Sequence, residues 1–345
     1  MSTMVALRKS QAGPGAELQQ IPIPLPGPHD ILIRVKAAAI CGSDRQVYAW
    51  RPSVAQLGLK FPFTMGHEFA GVVEAKGEHV SHIQVGDHVA GETHVPCGHC
   101  YQCNTGNAHV CEKMGIVGRS VNGCFAEYVL LPEQSVWKLP GNLPFEQGAL
   151  LEPLGVGVHS LEVADVSGKI VVLMGVGAIG LLTLQAAKAL GALEAIAIGR
   201  TPEKLELARS FGADLVINAR EENVTERVRQ YTMGHMADVV IEFTGDPVAF
   251  GQSLEILRIG GRLVAVGNAD APIPVDVLKH VIHREITITG IHGRRMYGTW
   301  INAQNLVRTG RINLKEMIAG SFELKDYEKA FALAGKEARK VILLP

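Results

Sequence analysis

The sequence has no long apolar run and no excess of charge of either sign. Its longest apolar stretches are about as long as a strand, well short of the roughly 20 residues that cross a bilayer. It carries 33 basic and 34 acidic residues, a formal net charge of −1, so it has no overall field to attract nucleic acid or an anionic membrane. Residues 1–11 lack the charged-then-apolar pattern of a secretory signal. We therefore expect a cytoplasmic protein without nucleic-acid or membrane partners.

Cysteine is scarce as well, and its distribution is uneven. Four of the six cysteines fall between positions 97 and 111, and the others are Cys41 and Cys124. In a long chain without an export signal, such a cluster favours a metal site over disulfides. Disulfides are also unnecessary for stability, because a chain of this length buries roughly three quarters of its unfolded surface. The length itself predicts about two domains.

Residues 1 to about 150 are rich in glycine, proline and valine, and their apolar runs are short. These runs alternate with loops that contain Gly, Pro or His, a pattern typical of strands. The strand candidates are Ile31–Ala37, Gly71–Ala75 and Phe125–Leu130. We interpret this half as mainly β.

The pattern changes near Gly155. Lys169–Met174 is a nearly continuous apolar run of the kind found in strands buried on both faces, and helical spacing follows from Ile179 to Leu190. Further strand-length runs are separated by enough residues for a helix, which predicts a parallel, doubly wound sheet. These runs are Ala195–Ile198, Leu215–Asn218, Asp238–Glu242, Arg262–Val266 and Ile286–Gly290. The chain then closes with a helical stretch and a strand at Lys340–Leu344.

A glycine-rich loop, Gly175-Val-Gly177-Ala-Ile-Gly180, follows the first of these strands and precedes the helix. Gly175 permits the tight turn, Gly177 lets the backbone approach a pyrophosphate, and Gly180 allows the helix to pack closely on the strand. The amino end of the helix attracts phosphate. Such a triplet can also be only a tight turn, but its position between a strand and a helix, with further strands behind it, favours dinucleotide binding.

The end of the next strand bears on which dinucleotide is bound. An acidic residue there binds the ribose 2′-hydroxyl of NAD, whereas this chain has Gly199-Arg200-Thr201 and no acid. Gly199 leaves room for a 2′-phosphate, Arg200 offers a bidentate cation, and Thr201 and Lys204 add further contacts. Arg200 can alternatively be a solvated loop residue. We expect NADP, with NAD as the alternative.

The clustered cysteines follow a regular Cys-x2-Cys-x2-Cys-x7-Cys spacing. They are Cys97, Cys100, Cys103 and Cys111. Four thiolates from one loop are enough to close a tetrahedral structural zinc site. Buried free thiols are one alternative, and a zinc ribbon that binds nucleic acid is another. Residues 97–119 contain only Lys113 and Arg119 as fixed cations, too few to hold a phosphate backbone.

A second group of potential ligands is dispersed along the chain. It consists of Cys41, followed by Gly-Ser-Asp; His67, followed by Glu; and Glu152, followed by Pro. Mixed S, N and O ligands from distant segments suit a catalytic zinc, which has three protein ligands and one open position. Spacing alone does not select these residues from 13 histidines and 34 acidic residues, and a His beside a Glu is more often an ordinary loop or core pair.

Several segments together carry a family resemblance. They are Cys41-Gly-Ser-Asp, Gly66-His-Glu, Val85-Gly-Asp-His-Val, the four clustered cysteines, Gly123-Cys-Phe-Ala-Glu-Tyr, Glu152-Pro and the glycine loop. The chain resembles medium-chain, zinc-dependent alcohol dehydrogenases over essentially its whole length. Within that family it is most similar to threonine 3-dehydrogenases and next to polyol (sorbitol-type) dehydrogenases. The segments that resemble threonine 3-dehydrogenases are Gly91–His94, Cys97–Cys100 and Gly290–Trp300. The segment Glu152–His159 is closer to the polyol dehydrogenases.

The resemblance implies an α/β fold with two domains. A GroES-like β catalytic domain is expected from residues 1–153 and 292–345, with the structural zinc lobe at about 92–115. A Rossmann dinucleotide-binding domain with a doubly wound parallel sheet is expected from residues 154–291. Relatives are usually homotetramers or homodimers, so we expect one of these states.

The resemblance also implies roles for individual residues. The implied ligands of the catalytic zinc are Cys41, His67, Glu152 and, as an exchangeable further ligand, Glu68. Ser43 matches the hydroxyl of the family's proton relay, and His94 matches a histidine that tunes substrate preference in threonine enzymes. The positions that match cofactor contacts are Ile179, Val266, Gly267, Ile291 and His292.

Two positions depart from the family pattern. The relay histidine expected three residues after Ser43 is Gln46, which leaves the route of the proton to solvent open. Threonine dehydrogenases usually carry an acid at the position of Gly199, so cofactor choice and subfamily are open as well.

The reaction implied is hydride transfer between a secondary alcohol and NAD(P), with two zinc ions per chain. Zinc acts as a Lewis acid that lowers the pKa of the alcohol, and Ser43 accepts its proton. Threonine would be oxidised at its C3 hydroxyl to 2-amino-3-oxobutanoate. A polyol or sugar-alcohol dehydrogenase is the main alternative. More distant ones are a zinc-free quinone or enoyl reductase, which lacks these ligands, and a redox-sensing dinucleotide-binding module.

Cys124, Arg294 and Arg295 lie outside these motifs or have no assigned role in them. Cys124 has no partner at ligand spacing, so we expect a small buried filler. Arg294 and Arg295 either face a substrate carboxylate or cofactor phosphate, or lie at the surface.

Overall fold

The computed structural model of the chain describes residues 2–345. Contacts divide these residues into two units, the first formed by the residues up to Glu152 together with Leu314–Pro345 and the second by Pro153–Asn313. The family resemblance implies that residues 292–313 belong to the first domain, whereas the contacts group them with the second unit. One physical reason is hydrogen bonding: the Asn302 side chain donates to Glu162 at 2.6 Å, and the backbone N–H of Asn313 donates to Gln185 at 2.8 Å.

The part of the first unit that precedes Pro153 is mainly β. Its strands are β1 (Thr3–Lys9), β2 (Glu17–Pro22), β3 (Asp30–Ala39), β4 (Phe63–Thr64), β5 (Glu68–Lys76), β6 (His88–Gly91), β7 (His94–Val95), β8 (Gly115–Ile116), β9 (Tyr128–Pro132) and β10 (Val136–Lys138). Its helices are short: α1 (Gly42–Ala49), α2 (Pro52–Ala55), α3 (Tyr101–Asn104) and α4 (Phe145–Gly148), with 3-10 turns at Ala108–Val110 and Glu133–Ser135.

The second unit alternates strands and helices, as the apolar runs predicted. Its elements are α5 (Leu151–Ala164, which starts in the first unit), β11 (Ile170–Met174), α6 (Ala178–Ala189), β12 (Glu194–Gly199), α7 (Pro202–Ser210), β13 (Leu215–Asn218), α8 (Val224–Tyr231), β14 (Ala237–Glu242), α9 (Pro247–Glu255), β15 (Leu257–Ala265), a π-helical turn (Val277–Ile282), β16 (Thr287–Gly290) and α10 (Gly298–Arg308). The six strands form one parallel sheet in the order β13-β12-β11-β14-β15-β16.

This sheet is doubly wound around β11, which pairs with β12 on one side and β14 on the other. Val171, Val172 and Leu173 of β11 are fully buried, which explains why its sequence is apolar without alternation. The change of direction in strand order lies between β11 and β14, and ligands of such sheets bind beyond the carboxyl ends of the strands at this point. The expected α/β doubly wound sheet is confirmed.

The C-terminal segment completes the first unit. Its elements are β17 (Ile318–Glu323), α11 (Tyr327–Lys336) and β18 (Lys340–Leu344), with 3-10 turns at Lys315–Met317 and Leu324–Asp326. Strand β18 pairs with β3 and joins a seven-stranded sheet in the order β10-β6-β5-β3-β18-β17, in which β9 also pairs with β3. A smaller sheet has the order β2-β1-β4, and β7 pairs with β8. The pairing of β18 with β3 brings the end of the chain beside residues near its beginning.

One predicted strand begins later in the structure than its sequence indicated. The run Phe125–Leu130 predicted a strand, whereas β9 begins only at Tyr128. The reason is that Phe125 bonds to other partners: its N–H donates to the carbonyl of Met65 at 2.9 Å, and its carbonyl accepts from Leu7 N–H at 2.8 Å. Gly66 permits this close approach because it has a φ of +88°, and a Cβ there would lie 2.3 Å from the Phe125 ring. This glycine directly precedes one predicted metal ligand, His67.

Candidate metal and cofactor sites

The four clustered cysteines converge on one point in the first unit. Their Sγ atoms all lie within 4.8 Å of one another, with 3.5 Å between Cys100 and Cys103 and 3.8 Å between Cys100 and Cys111. Tetrahedral zinc with Zn–S bonds of about 2.3 Å places its sulfur atoms about 3.8 Å apart. The donor set therefore fits a structural zinc ion.

Backbone amides support this site from within the same loop. The N–H groups of Cys97 and Lys113 each donate to Cys111 Sγ at 3.3 Å. Hydrogen bonds from the backbone of Cys103 and Glu112 lower the pKa of the Cys100 thiol to about 6. The lowered pKa favours the thiolate form of Cys100, which is the form that binds zinc.

The second cluster is assembled from separate segments of the first unit. Cys41 directly precedes α1, His67 directly precedes β5, and Glu68 is the first residue of β5. One ligand atom of each lies within 4.8 Å of the others. His67 and Glu68 are buried, with 8% and 0% exposure. A thiolate, an imidazole and a carboxylate at this spacing match the mixed donor set of a catalytic zinc site.

Asp44 orients two members of this cluster. Its Oδ2 accepts a hydrogen bond from the backbone N–H of Cys41 at 2.9 Å, and its Oδ1 lies 3.3 Å from His67 Nδ1. His67 also hydrogen-bonds the Cys41 side chain. A carboxylate on one ring nitrogen fixes the imidazole and leaves the other nitrogen for a metal. Burial alone would lower the pKa of His67, but the charges of Asp44 and Cys41 outweigh it and raise that pKa well above its usual value.

Lys340 supplies a buried positive charge beside the same cluster. Its Nζ lies 2.6 and 2.7 Å from the two carboxylate oxygens of Glu68. Burial opposes ionisation of Cys41, but the charges of Lys340 and His67 lower the pKa of its thiol to about 6. The pKa of Glu68 is nevertheless raised, first by its burial and then by the nearby Cys41 and Glu152. The site thus gathers more potential negative charge than Lys340 balances, which fits a bound divalent cation.

Glu152, the third ligand predicted for the catalytic zinc, is not part of the mutual cluster, and Glu68 takes its place there. The Glu152 side chain is buried at the start of α5 and accepts a hydrogen bond from Thr93 Oγ1. Its charge acts on both Glu68 and Lys340, so it lies near the cluster.

His94 is buried next to Thr93 and forms a close pair with Glu92. Glu92 Oε1 accepts hydrogen bonds from the backbone N–H of His94 at 3.0 Å and from its Nδ1 at 2.6 Å. Burial of both side chains makes this interaction strong and fixes the proton on Nδ1. Ser43 and Gln46 are half-buried on α1.

The glycine loop of the second unit has the geometry that its sequence predicted. Gly175 has a φ of +111°, and a Cβ there would lie 2.9 Å from Thr244. A Cβ on Gly180 would lie 2.1 Å from the carbonyl oxygen of Gly175, whereas Gly177 at the amino end of α6 faces open space. The loop therefore leaves its backbone accessible where a pyrophosphate would bind.

The remaining predicted cofactor residues surround the carboxyl ends of these strands. A Cβ on Gly199 would lie 2.5 Å from Val176 Cγ2, so packing as well as ligand space restricts this position to glycine. Arg200 and His292 are exposed. The half-exposed residues are Ile179, Thr201, Lys204, Val266, Gly267 and Ile291. Val266 and Gly267 both donate backbone hydrogen bonds to the carbonyl of Glu242, at 2.9 Å each.

Comparisons with known proteins identify the family. Residues 27–141 match the family described as alcohol dehydrogenase GroES-like domain, and residues 178–309 match the zinc-binding dehydrogenase family. The chain belongs to the zinc-dependent medium-chain alcohol dehydrogenases. It is 41% identical to an L-threonine 3-dehydrogenase of Symbiobacterium thermophilum, with 99% of this chain and 98% of that protein covered.

Two solved structures are similar to this dehydrogenase over the whole chain. A protein of Sinorhizobium meliloti with NADP bound is 30% identical with a TM-score of 0.91, and 100% of both chains is covered. The 2R,3R-butanediol dehydrogenase of Bacillus subtilis is 30% identical with a TM-score of 0.88, and 99% of both chains is covered. The predicted family, fold and class of enzyme, a zinc-dependent oxidoreductase acting on alcohols, are confirmed. Among residues 2–345, no helix combines the length and hydropathy that a membrane crossing needs.

The structure decides between the two interpretations of the adjacent arginines. Arg294 is 1% exposed, lies 5.8 Å from the Trp300 ring centre and packs on Gly155, where a Cβ would lie 2.3 Å from its side chain. Arg295 is exposed. The surface interpretation is therefore wrong for Arg294 and correct for Arg295. Cys124 is fully buried, as expected for a filler.

Four residues near the cluster of Cys41, His67 and Glu68 were not predicted to have a role there. Asp44 lies within a quoted motif, so its spacing from Cys41 could have drawn attention to it as a helix cap. Glu92 and Thr93 could have been noticed in a similar way, because they immediately precede His94 in the sequence. Nothing in the sequence pointed to Lys340, because it opens an apolar strand 272 residues away from Glu68.

Proposed function

We propose that this dehydrogenase oxidises the C3 hydroxyl of L-threonine to 2-amino-3-oxobutanoate and passes the hydride to a nicotinamide dinucleotide. Its first support is the 41% identity to a relative named L-threonine 3-dehydrogenase over 99% of the chain. The structural observation that carries the proposal is the segment Glu92-Thr93-His94, in which Glu92 holds His94 and Thr93 holds Glu152. This segment puts a substrate-tuning histidine in a fixed orientation next to a residue that binds a predicted zinc ligand.

The side chains of the site hold the groups that the reaction needs. When bound, the zinc ion supplies a Lewis acid that lowers the pKa of an alcohol. Cys41 and His67 hold it together with Glu68 or Glu152, and Asp44 orients His67. A second zinc ion is held by the clustered cysteines, which makes two per chain.

The ammonium group of Lys340 lies 2.6 Å from a carboxylate oxygen of Glu68. It therefore compensates the negative charge of Glu68 when that carboxylate does not bind the metal. Ser43 relays the proton of the substrate hydroxyl: its Oγ accepts that proton while its own hydroxyl proton passes to the next acceptor of the relay. Gln46 cannot titrate near neutral pH, so the proton continues by a route that does not use this side chain. This assignment is tested by Ser43→Ala, which should lower kcat, whereas Gln46→Ala should change it little.

NADP is the cofactor that we propose. Gly199 carries no carboxylate to bind a ribose 2′-hydroxyl, and a side chain at this position would collide with Val176. Arg200, Thr201 and Lys204 follow it at the carboxyl edge of the parallel sheet, where a 2′-phosphate would be recognised by a cation and hydroxyl. The similar protein of Sinorhizobium meliloti has NADP bound.

The cofactor proposal is tested by Arg200→Ala. Loss of a charged hydrogen bond of about 1.5–3 kcal/mol should raise the KM for NADP roughly 10- to 100-fold and leave the KM for NAD nearly unchanged. Arg209→Ala, at the far end of α7, is the matched control and should change neither value. Equal effects of Arg200→Ala on both cofactors would contradict the proposal.

A second candidate substrate class is the vicinal diols and polyols. It is favoured by the similarity to 2R,3R-butanediol dehydrogenase and by the polyol-like segment that follows Glu152. Turnover of L-threonine, 2,3-butanediol and a hexitol should be compared with both cofactors by the absorbance of the reduced nicotinamide. We expect the highest kcat/KM for L-threonine with NADP. A higher value for a diol or hexitol assigns the enzyme to the second class.

The quaternary state and cellular location complete the proposal. We infer a homotetramer or homodimer in the cytoplasm, supported by the state usual in the family and by the balanced charge of the chain. Light scattering of the purified enzyme tests the first part, and cell fractionation tests the second.

A further inference from the structure

A cavity of about 330 Å³ lies in the first unit, and none of the zinc ligands lines it. Its volume is at the lower end of the roughly 300–1,000 Å³ that is usual for small-molecule sites. Among its lining residues, Met4 and Val129 are buried and Pro22 is exposed. Most of its lining is apolar, including Met4, Ile21, Pro24, Tyr128, Val129 and Leu130.

The polar side chains Arg8, Thr64 and Asn122 interrupt this apolar lining, and the first two meet at the same place. Arg8 of β1 and Thr64 of β4 are directly opposite each other in an antiparallel pair. Side chains at opposed positions lie on the same face of a sheet, with Cβ atoms about 4.5–5.5 Å apart. Both residues line the cavity, so one small polar group can reach both.

These two side chains have unused hydrogen-bonding capacity. Arg8 Nε and Thr64 Oγ1 are buried, and within residues 2–345 neither atom has a hydrogen-bond partner. Thr64 is only 1% exposed. Its backbone N–H already donates to Asn122 Oδ1 at 2.9 Å, which leaves its hydroxyl as the unsatisfied group. Buried donors without partners are rare because each loses its hydration, so both favour an acceptor inside the cavity.

The charge of Arg8 is also unbalanced. The only described carboxylate opposite it in the sheet is Glu17, which accepts hydrogen bonds from Ser10 and Gln19 instead. Burial lowers the pKa of the Arg8 guanidinium, with no neighbouring charge contributing to the shift. An arginine remains protonated even so, and the half-buried Arg8 places its buried Nε at the apolar lining while the rest of its guanidinium remains open to solvent.

We propose that this cavity binds a small monocarboxylate with a short aliphatic chain, separately from the catalytic site. The carboxylate accepts from Arg8 Nε and Thr64 Oγ1, and the aliphatic chain lies against Met4, Ile21 and Val129. A single cation and one hydroxyl match a carboxylate better than a phosphate dianion, which needs more donors. The site is independent of the proposed substrate and of the zinc ions.

Calorimetric titration of the zinc-loaded enzyme with hexanoate tests the proposal. Hexanoate should bind, and Arg8→Met should raise its Kd at least about tenfold, the effect expected when a charged hydrogen bond is lost. Thr64→Val, which preserves shape, should raise it about threefold to tenfold. Arg209→Met on α7 is the matched control and should leave the Kd unchanged. Hexylammonium, with the same chain and opposite charge, should bind at least tenfold more weakly.

Two measurements separate this cavity from the catalytic zinc site, which could also attract a carboxylate. Cys41→Ser should retain hexanoate binding, because Cys41 does not line the cavity. In crystals soaked with 6-bromohexanoate, the anomalous bromine signal should lie among the apolar lining residues. This second measurement uses the wild-type chain, so it decides the matter even if Arg8→Met does not fold.

Several outcomes would overturn the proposal. They are an unchanged Kd in a folded Arg8→Met variant, equal binding of hexanoate and hexylammonium, loss of binding in Cys41→Ser alone, and a cavity that contains only water in the soaked crystals. None of these outcomes depends on turnover, so each leaves the proposed dehydrogenase activity untouched.

Discussion

The two groups of metal ligands in the first unit are built in opposite ways. The four clustered cysteines come from one stretch of 15 residues and are stabilised by amides of that same stretch. Cys41 comes from the start of α1, and His67 and Glu68 come from the start of β5; these residues are oriented by Asp44 and Lys340. The ligands of the first site can meet within a single loop, whereas those of the second meet only when the whole unit is folded.

This difference has an electrostatic counterpart. Three of the four clustered cysteines are partly exposed, so water solvates much of their charge. In the dispersed cluster, both His67 and Glu68 are buried, and Lys340 and Asp44 are buried with them. Removing one charge from the dispersed cluster leaves other charges unpaired in a low-dielectric interior. At the loop site, water can solvate the charges that remain. The two sites should therefore respond differently to substitution.

The largest effect is expected when the dispersed site loses its thiolate. Cys41→Ser should lower kcat roughly a thousandfold or more, because Lewis acidity contributes several kcal/mol and each 1.36 kcal/mol is a factor of ten. Dinucleotide binding, measured by fluorescence titration, should persist. Cys124→Ala, a buried cysteine with no ligand role, is the control and should retain most activity. Normal turnover of Cys41→Ser would refute the zinc mechanism.

The loop site is expected to affect folding more than chemistry. Cys103→Ser should release about one zinc ion per chain and expose residues 97–111 to proteolysis, because a structural site needs all four ligands. Zinc content and limited proteolysis measure these effects. The kcat per remaining zinc ion should fall far less than in Cys41→Ser. An equal fall in both variants would remove the distinction between the two sites.

An intermediate effect is expected from the residue that orients His67. Asp44→Asn should weaken zinc binding at the dispersed site about 10- to 100-fold, as loss of an orienting carboxylate does in other zinc sites. Chelator competition should show one weakened and one unchanged zinc ion per chain. Asp87→Asn, which removes the charge that pairs with Lys138 and weakens a hydrogen bond from the backbone N–H of Gln84, lies away from both zinc sites and is the matched control. Equal weakening of both zinc ions would contradict a local role for Asp44.

The smallest effect is expected at Glu92. Glu92→Gln keeps the shape but replaces a charged acceptor 2.6 Å from His94 Nδ1 with a neutral one. Charged hydrogen bonds are about twice as strong as neutral ones, so kcat/KM for L-threonine should fall about fivefold. Zinc content should not change. A loss of zinc in this variant would show that Glu92 supports the metal site and not His94.

Local patterns predicted most of the second unit and all of the loop site. Leu215–Asn218 and Lys340–Leu344 became strands with the predicted bounds, because apolar runs of that length must be buried. The glycine loop was predictable because Gly175 and Gly180 each have a separate steric reason, and Gly177 leaves the backbone accessible. The dispersed ligands were selected by family resemblance, since nothing in their spacing distinguishes them.

Local sequence patterns could not predict interactions between residues that are far apart in the sequence. The burial of Arg294 depends on the absence of a side chain at Gly155, 139 residues earlier, and neither position signals the other. The displaced start of β9 depends on hydrogen bonds from Phe125 to Leu7 and Met65. The grouping of residues 292–313 with the second unit likewise depends on contacts of α10 and the segment after it.

The sequence by itself determined the alternating strands and helices, the loop for a dinucleotide and the closed cysteine site, because neighbouring residues suffice for each. Only the tertiary structure decided that Cys41 lies beside His67 and Glu68, and which charges surround them. Pairing of β18 with β3 brings Lys340 to Glu68, and a carboxylate buried beside an ammonium group has properties that no short stretch of the chain contains.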